Sequence, residues 1–369
     1  MLEQRSIMIS GGGTGGHIFP ALAIAQEYQR RYPKASIRFV GARGRMEMKR
    51  IPKAGFPIHG LWISGLQRSL TLRNLLFPIK VLLSLGHSYR LLRRYRPGAV
   101  VGTGGYASGP LGFMASRMGI PTLLQEQNSF PGITNKLLAP SAAKVCVAYP
   151  RMDRFFPATK IRLTGNPIRE DLLQPLPDNN SSRKALELDP GRPTLLILGG
   201  SQGAKRINEL IEESIPYFRR KGINVIWQCG KLYYPKLCQK QLPLAPDQFV
   251  LRPFLEDMPQ AFAAADLVVS RAGAGTLSEL AVVAKPAILI PSPHVAEDHQ
   301  NKNAQSLAAS GGADVMKESE SIGSYQKAQE KLLLHREKRE GMAWQMRQRA
   351  LPHATEEIVD ELENLLNDA

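Results

Sequence analysis

The feature that most constrains the fold is an apolar run that leads into a glycine-rich turn and then into helix-like sequence. It occurs in both halves of the chain. In the first half, Ile7–Ser10 precedes residues 11–16, which read Gly-Gly-Gly-Thr-Gly-Gly. In the second half, residues 195–198 precede residues 199–203, which read Gly-Gly-Ser-Gln-Gly. Short apolar runs bounded in this way are typical of strands buried in a parallel sheet. The repetition predicts an α/β fold with two doubly wound units.

Further apolar runs alternate with helix-like stretches along the chain, as in βαβ units. The predicted strands are residues 6–10, 37–40, 99–102, 122–125, 144–147, 194–198, 224–228, 249–252, 267–270 and 287–290. Turn residues at 164–167 mark a boundary. We predict a Rossmann-like domain at 1–165, a second at 166–350, and a terminal segment at 351–369 whose helix packs back on the first domain. Because such folds bind ligands at the carboxyl ends of their strands, we expect the two domains to face each other across a cleft.

The basic residues are concentrated in the first half of the chain. Residues 1–165 contain 24 Lys+Arg and 5 Asp+Glu, a balance of +19, whereas residues 166–369 contain 24 and 27, a balance of −3. Together they give the net charge of +16. A basic domain favours an anionic partner, either nucleic acid or anionic lipid. No recognisable nucleic-acid module or aromatic platform accompanies the charge, so we expect no nucleic-acid partner.

Residues 66–96 combine apolar and basic side chains at high density. The apolar side chains are Leu75, Leu76, Phe77, Ile79, Leu82 and Leu83, and the basic ones are Arg68, Arg73, Lys80, Arg90, Arg93, Arg94 and Arg96. An apolar patch ringed by cations is typical of docking on an anionic membrane surface. The alternative is an ordinary amphipathic helix packed on its sheet. Since no stretch reaches the roughly 18–20 apolar residues of a spanning helix, we expect a protein that does not cross the membrane.

Four glycine-rich turns follow predicted strands, at residues 11–16, 102–106, 199–203 and 271–276. Glycine lets the backbone approach a ligand closely, and the helix N-terminus behind such a turn favours phosphate. The first turn satisfies the GxGxxG pattern, but a dinucleotide site also requires an acidic residue about 20 residues further on. No acidic residue lies between Glu27 and Glu47, which argues against a nicotinamide oxidoreductase. A tight turn without a ligand is the other alternative.

A set of motifs in this order resembles the MurG family of bacterial glycosyltransferases over nearly the whole chain. The motifs are GGTGGHIFP at 12–20, Gly104-Gly105-Tyr106, Glu126-Gln127-Asn128, Asn135-Lys136, GNPIR at 165–169, GGSQGA at 199–204, Ser278-Glu279 and HQxxNA at 299–304. The resemblance implies a GT-B type fold and transfer of N-acetylglucosamine from UDP-N-acetylglucosamine to the undecaprenyl-linked muramyl pentapeptide lipid I, giving lipid II for peptidoglycan synthesis. It also implies a peripheral location on the cytoplasmic side of the cell (inner) membrane, close to cell-wall synthesis and division proteins. Gln125 departs from the family pattern, because many relatives carry histidine at this position.

The same resemblance implies which residues bind the substrates. The donor UDP-N-acetylglucosamine would meet Thr14, Gly15, Gly16, Asn128, Arg169, Ser201, Gln202, Leu255, Ala274, Gly275, Thr276, Leu277, Ser278, Glu279 and Gln300. Within this set, Ser201 would touch the diphosphate, Leu255 would meet the uracil through its backbone, and Glu279 would hold the ribose. Gly104, Gly105 and Tyr106 would face the acceptor.

The transfer chemistry requires a base for the acceptor hydroxyl and groups that stabilise the leaving diphosphate. His17 in the first glycine turn is the first candidate base and Glu126 is the second; substrate binding or packing is the alternative role for His17. The sequence contains no Asp-x-Asp pair of the kind that holds a metal in other transferases. We therefore expect no metal or cofactor, with helix N-termini and backbone amides at the diphosphate and inversion at the sugar carbon. Within the same fold, the alternative is a transferase that acts on another membrane lipid such as diacylglycerol.

Overall fold

The structure, a computed structural model, describes residues 5–65, 76–200, 202–240, 242 and 245–368. The chain forms two compact units. Unit 1 consists of residues 1–168 together with 352–369, and unit 2 consists of residues 169–351. The terminal segment therefore belongs to the same unit as the beginning of the chain.

The described part of unit 1 contains a seven-stranded sheet in the order β3-β2-β1-β4-β5-β6-β7, and every strand pair is parallel. The strands are β1 (Ile7–Ser10), β2 (Ile37–Ala42), β3 (Ile58–Leu61), β4 (Ala99–Gly102), β5 (Thr122–Glu126), β6 (Lys144–Val147) and β7 (Ile161–Leu163). The helices are α1 (Gly15–Arg31), α2 (Glu47–Lys53), α3 (Phe77–Tyr95), α4 (Ser108–Arg117), α5 (Ile133–Leu138) and, from the end of the chain, α14 (Ala354–Asn367).

The described part of unit 2 contains a six-stranded parallel sheet in the order β10-β9-β8-β11-β12-β13. Its strands are β8 (Thr194–Leu198), β9 (Asn224–Gln228), β10 (Phe249–Arg252), β11 (Leu267–Ser270), β12 (Ala287–Leu289) and β13 (Ala313–Val315). Its helices are α6 (Asn179–Ala185), α7 (Lys205–Lys221), α8 (Tyr234–Cys238), α9 (Met258–Ala264), α10 (Ala274–Val282), α11 (His299–Ala308), α12 (Ile322–Leu334) and α13 (Arg336–Arg347).

The strand order of each sheet reverses beside the first strand of its unit. In unit 1, β1 lies between β2 and β4, with Ile7 in register with both Ile37 and Ala99. In unit 2, β8 lies between β9 and β11. Open α/β sheets bind ligands at such a switch point, outside the carboxyl ends of the strands. The four glycine-rich turns follow β1, β4, β8 and β11, so they lie at the two edges where this fold binds ligands.

The central strands are covered by helices on both faces, as their continuous apolar sequence predicts. Successive residues of β1 point to opposite faces: Ile7 and Ile9 belong to one core cluster and Met8 to another, and all three are fully buried. Burial of each such side chain stabilises the fold by roughly 1.5–3 kcal/mol. The buried cores therefore fix the sheets, and the sheets position the turns at their carboxyl ends.

The C-terminal helix α14 closes the core of unit 1. Ile358 and Leu362 of this helix are buried in the same cluster as Ile24 and Tyr28 of α1. At the margin of the contact, Arg31 pairs with two carboxylates of α14, at 2.5 Å and 3.0 Å. An amphipathic tail helix is thus anchored by apolar burial and by charge at its edge.

The predicted α/β class with two parallel sheets is confirmed. All ten predicted strands are present, with ends within two residues of the predicted ones. The sequence reading missed β3, β7 and β13, which read Ile-His-Gly-Leu, Ile-Arg-Leu and Ala-Asp-Val and lie at sheet edges. These strands are short and partly exposed, so their apolar signal is weak.

Candidate active site

Two glycine-rich turns of unit 1 contact each other beside β1. A Cβ atom at Gly105 would overlap the carbonyl oxygen of Gly12, so this approach requires glycine. Thr103 ties the two turns together, because its N–H donates to Ser10 O at 2.9 Å and its hydroxyl donates to His17 O at 2.8 Å. The backbone of both turns is thereby joined around His17.

The ring of His17 is held in one tautomer. It packs over Gly104, where an added Cβ would lie 2.9 Å from ring atoms Cε1 and Nδ1. Nδ1 lies 2.9 Å from Thr103 O and 2.9 Å from Gln127 Oε1. Because both partners are acceptors, Nδ1 carries a proton, so in the neutral ring the lone pair is on Nε2. In this tautomer Nε2 can take a proton from a hydroxyl group, as a general base does.

Gln127 sets the orientation of the His17 ring. Its Nε2 donates to Thr103 O at 2.8 Å and to Gln125 O at 3.1 Å, and it also contacts Gln125 Oε1. Since the amide nitrogen faces these oxygens, the amide oxygen must face His17. Gln125 in turn donates to Asn166 Oδ1 at 3.0 Å, and Asn166 donates to Gln127 O at 3.1 Å. The residue that departs from the family pattern, Gln125, is therefore part of the buried network behind His17.

The carboxylate of Glu126 fixes the loop that follows β5. Its Oε1 accepts from the backbone N–H of Asn128 at 3.0 Å and from the side-chain amide of Asn128 at 3.1 Å. Its Oε2 accepts from Gly132 N–H at 3.1 Å and from Asn135 Nδ2 at 2.8 Å. Glu126 is only 1 % exposed, and four donors occupy its two oxygens. This geometry suits an anchor for the loop, whereas the lone pair of His17 Nε2 suits proton transfer.

The predicted acceptor residues, Gly104, Gly105 and Tyr106, lie beside His17 and the first glycine turn. Gly104 and Gly105 have φ angles of 96° and 81°, in the left-handed region that favours glycine. The half-buried ring of Tyr106 packs against the first turn, where a Cβ at Gly13 would lie 3.1 Å from its Cε1. Burial raises the pKa of Tyr106, with Arg45 opposing the rise. Tyr106 therefore keeps its hydroxyl proton at neutral pH and can donate a hydrogen bond.

Three of the predicted donor residues, Thr14, Gly15 and Gly16, directly precede His17 in the chain. Thr14 precedes the first residue of α1 in an extended conformation, with a φ of −144°, and Gly15 and Gly16 form the first turn of the helix. The N–H groups of a first turn carry partial positive charge and attract phosphate. Asn128, oriented by Glu126, belongs to the loop after β5, on the other side of β4.

Unit 2 contains a cavity of about 510 Å³ at the carboxyl end of its sheet. Its described lining residues are Gly199, Gly203, Ala204, Lys205, Arg206, Glu209, Arg271, Ser292, His294, Val295, Gln300 and Glu318. They come from the turns after β8, β11, β12 and β13 and from the N-terminal parts of α7 and α11. Small-molecule sites in proteins have volumes in this range, of about 300–1,000 Å³.

Two guanidinium groups are fixed in the wall of this cavity. Arg206 donates to the carbonyl oxygen of Glu318 at 2.9 Å. Arg271 forms an ion pair with the carboxylate of Glu318 and donates to Ile290 O at 2.9 Å. Guanidinium groups and helix N-termini are the groups that proteins use for phosphate. The wall also contains the carboxylates of Glu209 and Glu318, so Lys205, Arg206 and Arg271 leave it a small excess of positive charge, which favours an anionic ligand.

Gln300 lies at the start of α11 and also lines the cavity. Its Oε1 accepts from Ser292 N–H at 2.9 Å, which leaves its side-chain amide nitrogen as a donor for a ligand. Gln202, in the turn after β8, is exposed. Ser201, predicted to touch the diphosphate, lies outside the described residues.

The helix α10 carries six of the predicted donor residues, Ala274, Gly275, Thr276, Leu277, Ser278 and Glu279. Leu277 is only 3 % exposed and its side chain packs in the core, so only its backbone could contact a ligand. Burial of the carboxyl raises the pKa of Glu279 to about 7, with Arg169 opposing the rise and Asp171 adding to it. The predicted residues Arg169 and Glu279 thus lie near each other, and Arg169 is oriented by Asp171 at 2.6 Å.

Some predicted donor residues lie outside the wall of the cavity. Among the residues that the structure describes, its lining includes Gln300 but neither the residues of α10 nor Leu255. The N–H of Leu255 donates to Gln228 Oε1 at 2.9 Å, which leaves its carbonyl oxygen as the backbone group for a base. The predicted set therefore divides into a part at the cavity and a part at α10.

The sequence did not identify several residues that shape the candidate sites of unit 1 and unit 2. Gln127 and Thr103 hold the ring of His17, and Arg206 and Arg271 line the cavity of unit 2. Arg271 directly follows β11 and begins a glycine-rich turn, which is a signal that could have identified it. Glu47 is buried beneath the first glycine turn, and its position gave no such signal.

Comparison with known proteins identifies the class to which this protein belongs. Residues 7–147 match the Glycosyltransferase family 28 N-terminal domain, and residues 194–358 match the Glycosyltransferase family 28 C-terminal domain. Together the two matches cover most of the chain. The protein is a glycosyltransferase that belongs to family 28.

The relatives with high identity share one name. The UDP-N-acetylglucosamine–N-acetylmuramyl-(pentapeptide) pyrophosphoryl-undecaprenol N-acetylglucosamine transferase of Flavobacterium psychrophilum is 48% identical over 366 residues, which is 99% of each chain. The protein of the same name from Christiangramia forsetii is 45% identical over 370 residues, which is 100% of each chain. The crystal structure of MurG from Acinetobacter baumannii matches with a TM-score of 0.79 at 31% identity and covers 97% of this chain and 99% of that one. The resemblance to the MurG family is confirmed.

Proposed function

We propose that the protein transfers N-acetylglucosamine from UDP-N-acetylglucosamine to lipid I, the undecaprenyl-pyrophosphoryl N-acetylmuramyl pentapeptide, to form lipid II in peptidoglycan synthesis. The observation that carries the proposal is 48% identity, over 99% of both chains, to a transferase named for this reaction. The site agrees with the chemistry, because one unit offers a proton acceptor and the other offers a cavity with cationic walls.

The donor binds mainly in unit 2. The diphosphate lies at the first turn of α7, where the helix N-terminus and the side chains of Arg206 and Arg271 attract negative charge. Gln300 donates its amide to the sugar. The uracil pairs with the backbone of Leu255, and the ribose hydroxyls bond to Glu279.

The acceptor binds at the two glycine turns of unit 1, and His17 is the general base. Its Nε2 removes the proton from the muramyl hydroxyl as the oxygen attacks the anomeric carbon. Gln127 and Thr103 hold Nδ1–H and stabilise the imidazolium that forms, because both offer oxygen acceptors at 2.9 Å. A single attack of this kind inverts the configuration at the sugar carbon.

Backbone amides and guanidinium groups stabilise the leaving diphosphate in this proposal. Fixed dipoles aimed at developing charge act without reorganisation, so they lower the barrier effectively. The sequence lacks an Asp-x-Asp pair, and the cavity has Arg206 and Arg271 in its wall. We therefore expect transfer to proceed without an added divalent cation.

The helix α3 docks on an anionic membrane surface. Its buried residues include Ser84 and Ser88, whereas Leu82 and Leu83 are 69% and 56% exposed. An ordinary surface helix has the opposite arrangement, with apolar residues inside and polar residues outside. Ile79 adds a further exposed apolar side chain. Part of α3 therefore presents an apolar surface outwards, which fits lipid.

Cations flank this apolar surface. Lys80 lies 5.7 Å from the centre of the exposed Trp62 ring, and Arg90, Arg93 and Arg94 are exposed along α3. Each basic side chain near an anionic surface contributes about 1 kcal/mol. Residues 66–75, the first part of the predicted segment, lie outside the described residues. Within the described part of the chain, no helix is long and apolar enough to span a bilayer. The proposal therefore assigns the protein a peripheral location, on the cytoplasmic side of the inner membrane where lipid I is made.

A transfer assay tests the proposal. The purified protein is incubated with labelled UDP-N-acetylglucosamine and lipid I, and the lipid fraction is separated and counted. We expect label in lipid II. Label in a diacylglycerol glycolipid, when diacylglycerol replaces lipid I, with none in lipid II would assign the protein to the other lipid substrate.

A further inference from the structure

The first glycine turn of unit 1 rests on a buried carboxyl group from another element. Glu47 is the first residue of α2, follows β2, and is 0% exposed. Its Oε2 accepts from Gly13 N–H at 3.1 Å, and its Oε1 accepts from Ala42 N–H at 3.1 Å. A carboxyl group is costly to bury unless it is hydrogen-bonded. These two backbone bonds join the turn to the end of β2.

Two glycines make room for this carboxyl. A Cβ at Gly12 would overlap Oε1 of Glu47 and lie 2.6 Å from its Cδ, and a Cβ at Gly41 would lie 2.6 Å from its Cγ. Neither glycine has a positive φ, so backbone conformation does not require glycine at either position. The reason for Gly12 and Gly41 is therefore the space that Glu47 occupies.

The first glycine turn, which rests on Glu47, also contacts the second glycine turn and precedes His17. The carbonyl oxygen of Gly12 meets Gly105 without room for a Cβ, and the ring of His17 meets Gly104 in the same way. A shift of Gly12 or Gly13 would therefore displace the second turn or the ring of His17. Misplacement of a reacting group by 1 Å costs about 10²-fold in rate.

We infer that Glu47 is a positioning residue for the acceptor side of the reaction. Its carboxyl occupies the inner side of the first glycine turn, and it sets the spacing between this turn, the second turn and His17. The N–H of Gly13 bonds to Glu47 on the inner side of the glycine turn. The N–H groups at the start of α1, from Gly15 onwards, are then the ones available to a ligand. This inference rests on the proposed function, since it assigns Glu47 a role in the same transfer.

The direct test compares Glu47→Gln with the wild-type protein. Glutamine has the same shape, but its NH₂ group would face one of the two backbone N–H donors. We expect kcat with lipid I to fall about ten- to hundredfold, while the Kd for UDP stays within about twofold, because the proposed uracil, ribose and diphosphate contacts lie mainly in unit 2. The amount of folded protein is measured independently from the stoichiometry of UDP binding. The control is Glu27→Gln, another buried acid of unit 1, which bonds Arg30 and Arg31 away from the turns; we expect a lower Tm with unchanged kcat.

A double-mutant cycle tests the contact with Gly12. Gly12→Ala alone should lower kcat, because the new methyl group displaces the carboxyl of Glu47. In a Glu47→Ala background the space is free, so Gly12→Ala should have little further effect. Additive losses in kcat would overturn the inference.

Hydrogen exchange separates this inference from the proposed function. The amides of residues 11–17 should exchange faster in Glu47→Gln than in the wild-type protein, whether or not lipid I is the acceptor. Faster exchange in a protein that transfers nothing to lipid I would support the positioning of the turn and reject the acceptor. Unchanged exchange, or a Glu47→Gln variant that transfers at the wild-type rate, would overturn the role of Glu47.

Discussion

Nδ1 of His17 lies 2.9 Å from Oε1 of Gln127, and the amide of Gln127 cannot turn over without losing the bond from its nitrogen to Thr103 O at 2.8 Å. A neutral side chain therefore does for this histidine what a carboxylate does in many hydrolases: it fixes the tautomer and the ring orientation. A neutral partner stabilises the imidazolium less than a carboxylate would. Gln127 therefore fixes the orientation of the His17 ring but places no negative charge beside it.

Replacement of His17 tests its role as the base. We expect His17→Ala to lower kcat by about 10²–10⁴-fold, the usual contribution of general base catalysis, with little change in KM for the donor. Steady-state kinetics with lipid I measures both constants. His353→Ala is the control, because His353 is exposed and pairs only with Glu356 of α14 among the described residues. A loss of less than fivefold for His17→Ala would remove the residue from the chemistry.

Glu126, the second candidate base, gives a different expectation. Glu126→Gln places an NH₂ group against backbone and amide donors that now bond to Oε1 or Oε2. An unsatisfied buried donor costs about 1–3 kcal/mol, so we expect a lower Tm in thermal unfolding. Glu126→Gln should retain more of the wild-type kcat with lipid I than His17→Ala does. The reverse pattern would make Glu126 the base.

Glu279 connects donor binding with stability. Burial raises its pKa to about 7 from an ordinary 4.5. The folded state therefore holds the proton more tightly than the unfolded state, and the free energy of unfolding is greatest below pH 4.5 and falls as the pH rises through 7. Glu279→Gln should therefore be more stable than wild type at pH 8, by up to roughly 3 kcal/mol, and equally stable near pH 4. Denaturant unfolding at both pH values measures the difference.

The same Glu279→Gln substitution should weaken donor binding. A hydrogen bond from a ribose hydroxyl to a charged carboxylate is stronger than one to an amide, so we expect KM for UDP-N-acetylglucosamine to rise about tenfold at pH 8. A more stable variant with a weaker substrate interaction is typical of a binding residue. Unchanged KM would take Glu279 out of the donor site.

The exposed apolar face of α3 predicts membrane binding. The double variant Leu82→Glu/Leu83→Glu should reduce partitioning onto vesicles that contain anionic lipid by at least about tenfold, because two exposed leucines no longer enter the bilayer surface. Sedimentation with vesicles measures the bound fraction, and added salt should weaken binding of the wild-type protein. Leu334→Glu, at a leucine that is 67% exposed in unit 2, is the matched control. Equal binding of the double variant and the wild type would contradict the proposed docking face.

Most of the fold could be read from the sequence because buried parallel strands appear as apolar runs. The first strand of each unit is followed by a glycine-rich turn, and these turns lie at the switch points of the sheets. The edge strand β7, with Arg162 at its centre, carries too little apolar sequence to be recognised.

The contacts that organise the site could not be predicted from the sequence, because they join residues far apart in the chain. Glu47 bonds Gly13 across 34 positions, and His17 bonds Gln127 across 110. No local pattern marks a carboxyl that turns back beneath a glycine turn. Nor does one mark Glu318 as the partner of Arg271 in the cavity wall. Motifs identify which residues matter, whereas the tertiary structure determines which atom each residue presents.

A competition assay shows which lipid the protein glycosylates and whether transfer needs a divalent cation. The wild-type protein is given labelled UDP-N-acetylglucosamine together with equal amounts of lipid I and diacylglycerol, with excess EDTA present, and the lipid products are separated. We expect label in lipid II alone, at the rate seen without EDTA, with the sugar linked in the inverted configuration. Label in the diacylglycerol product, or no transfer until a divalent cation is restored, would contradict it.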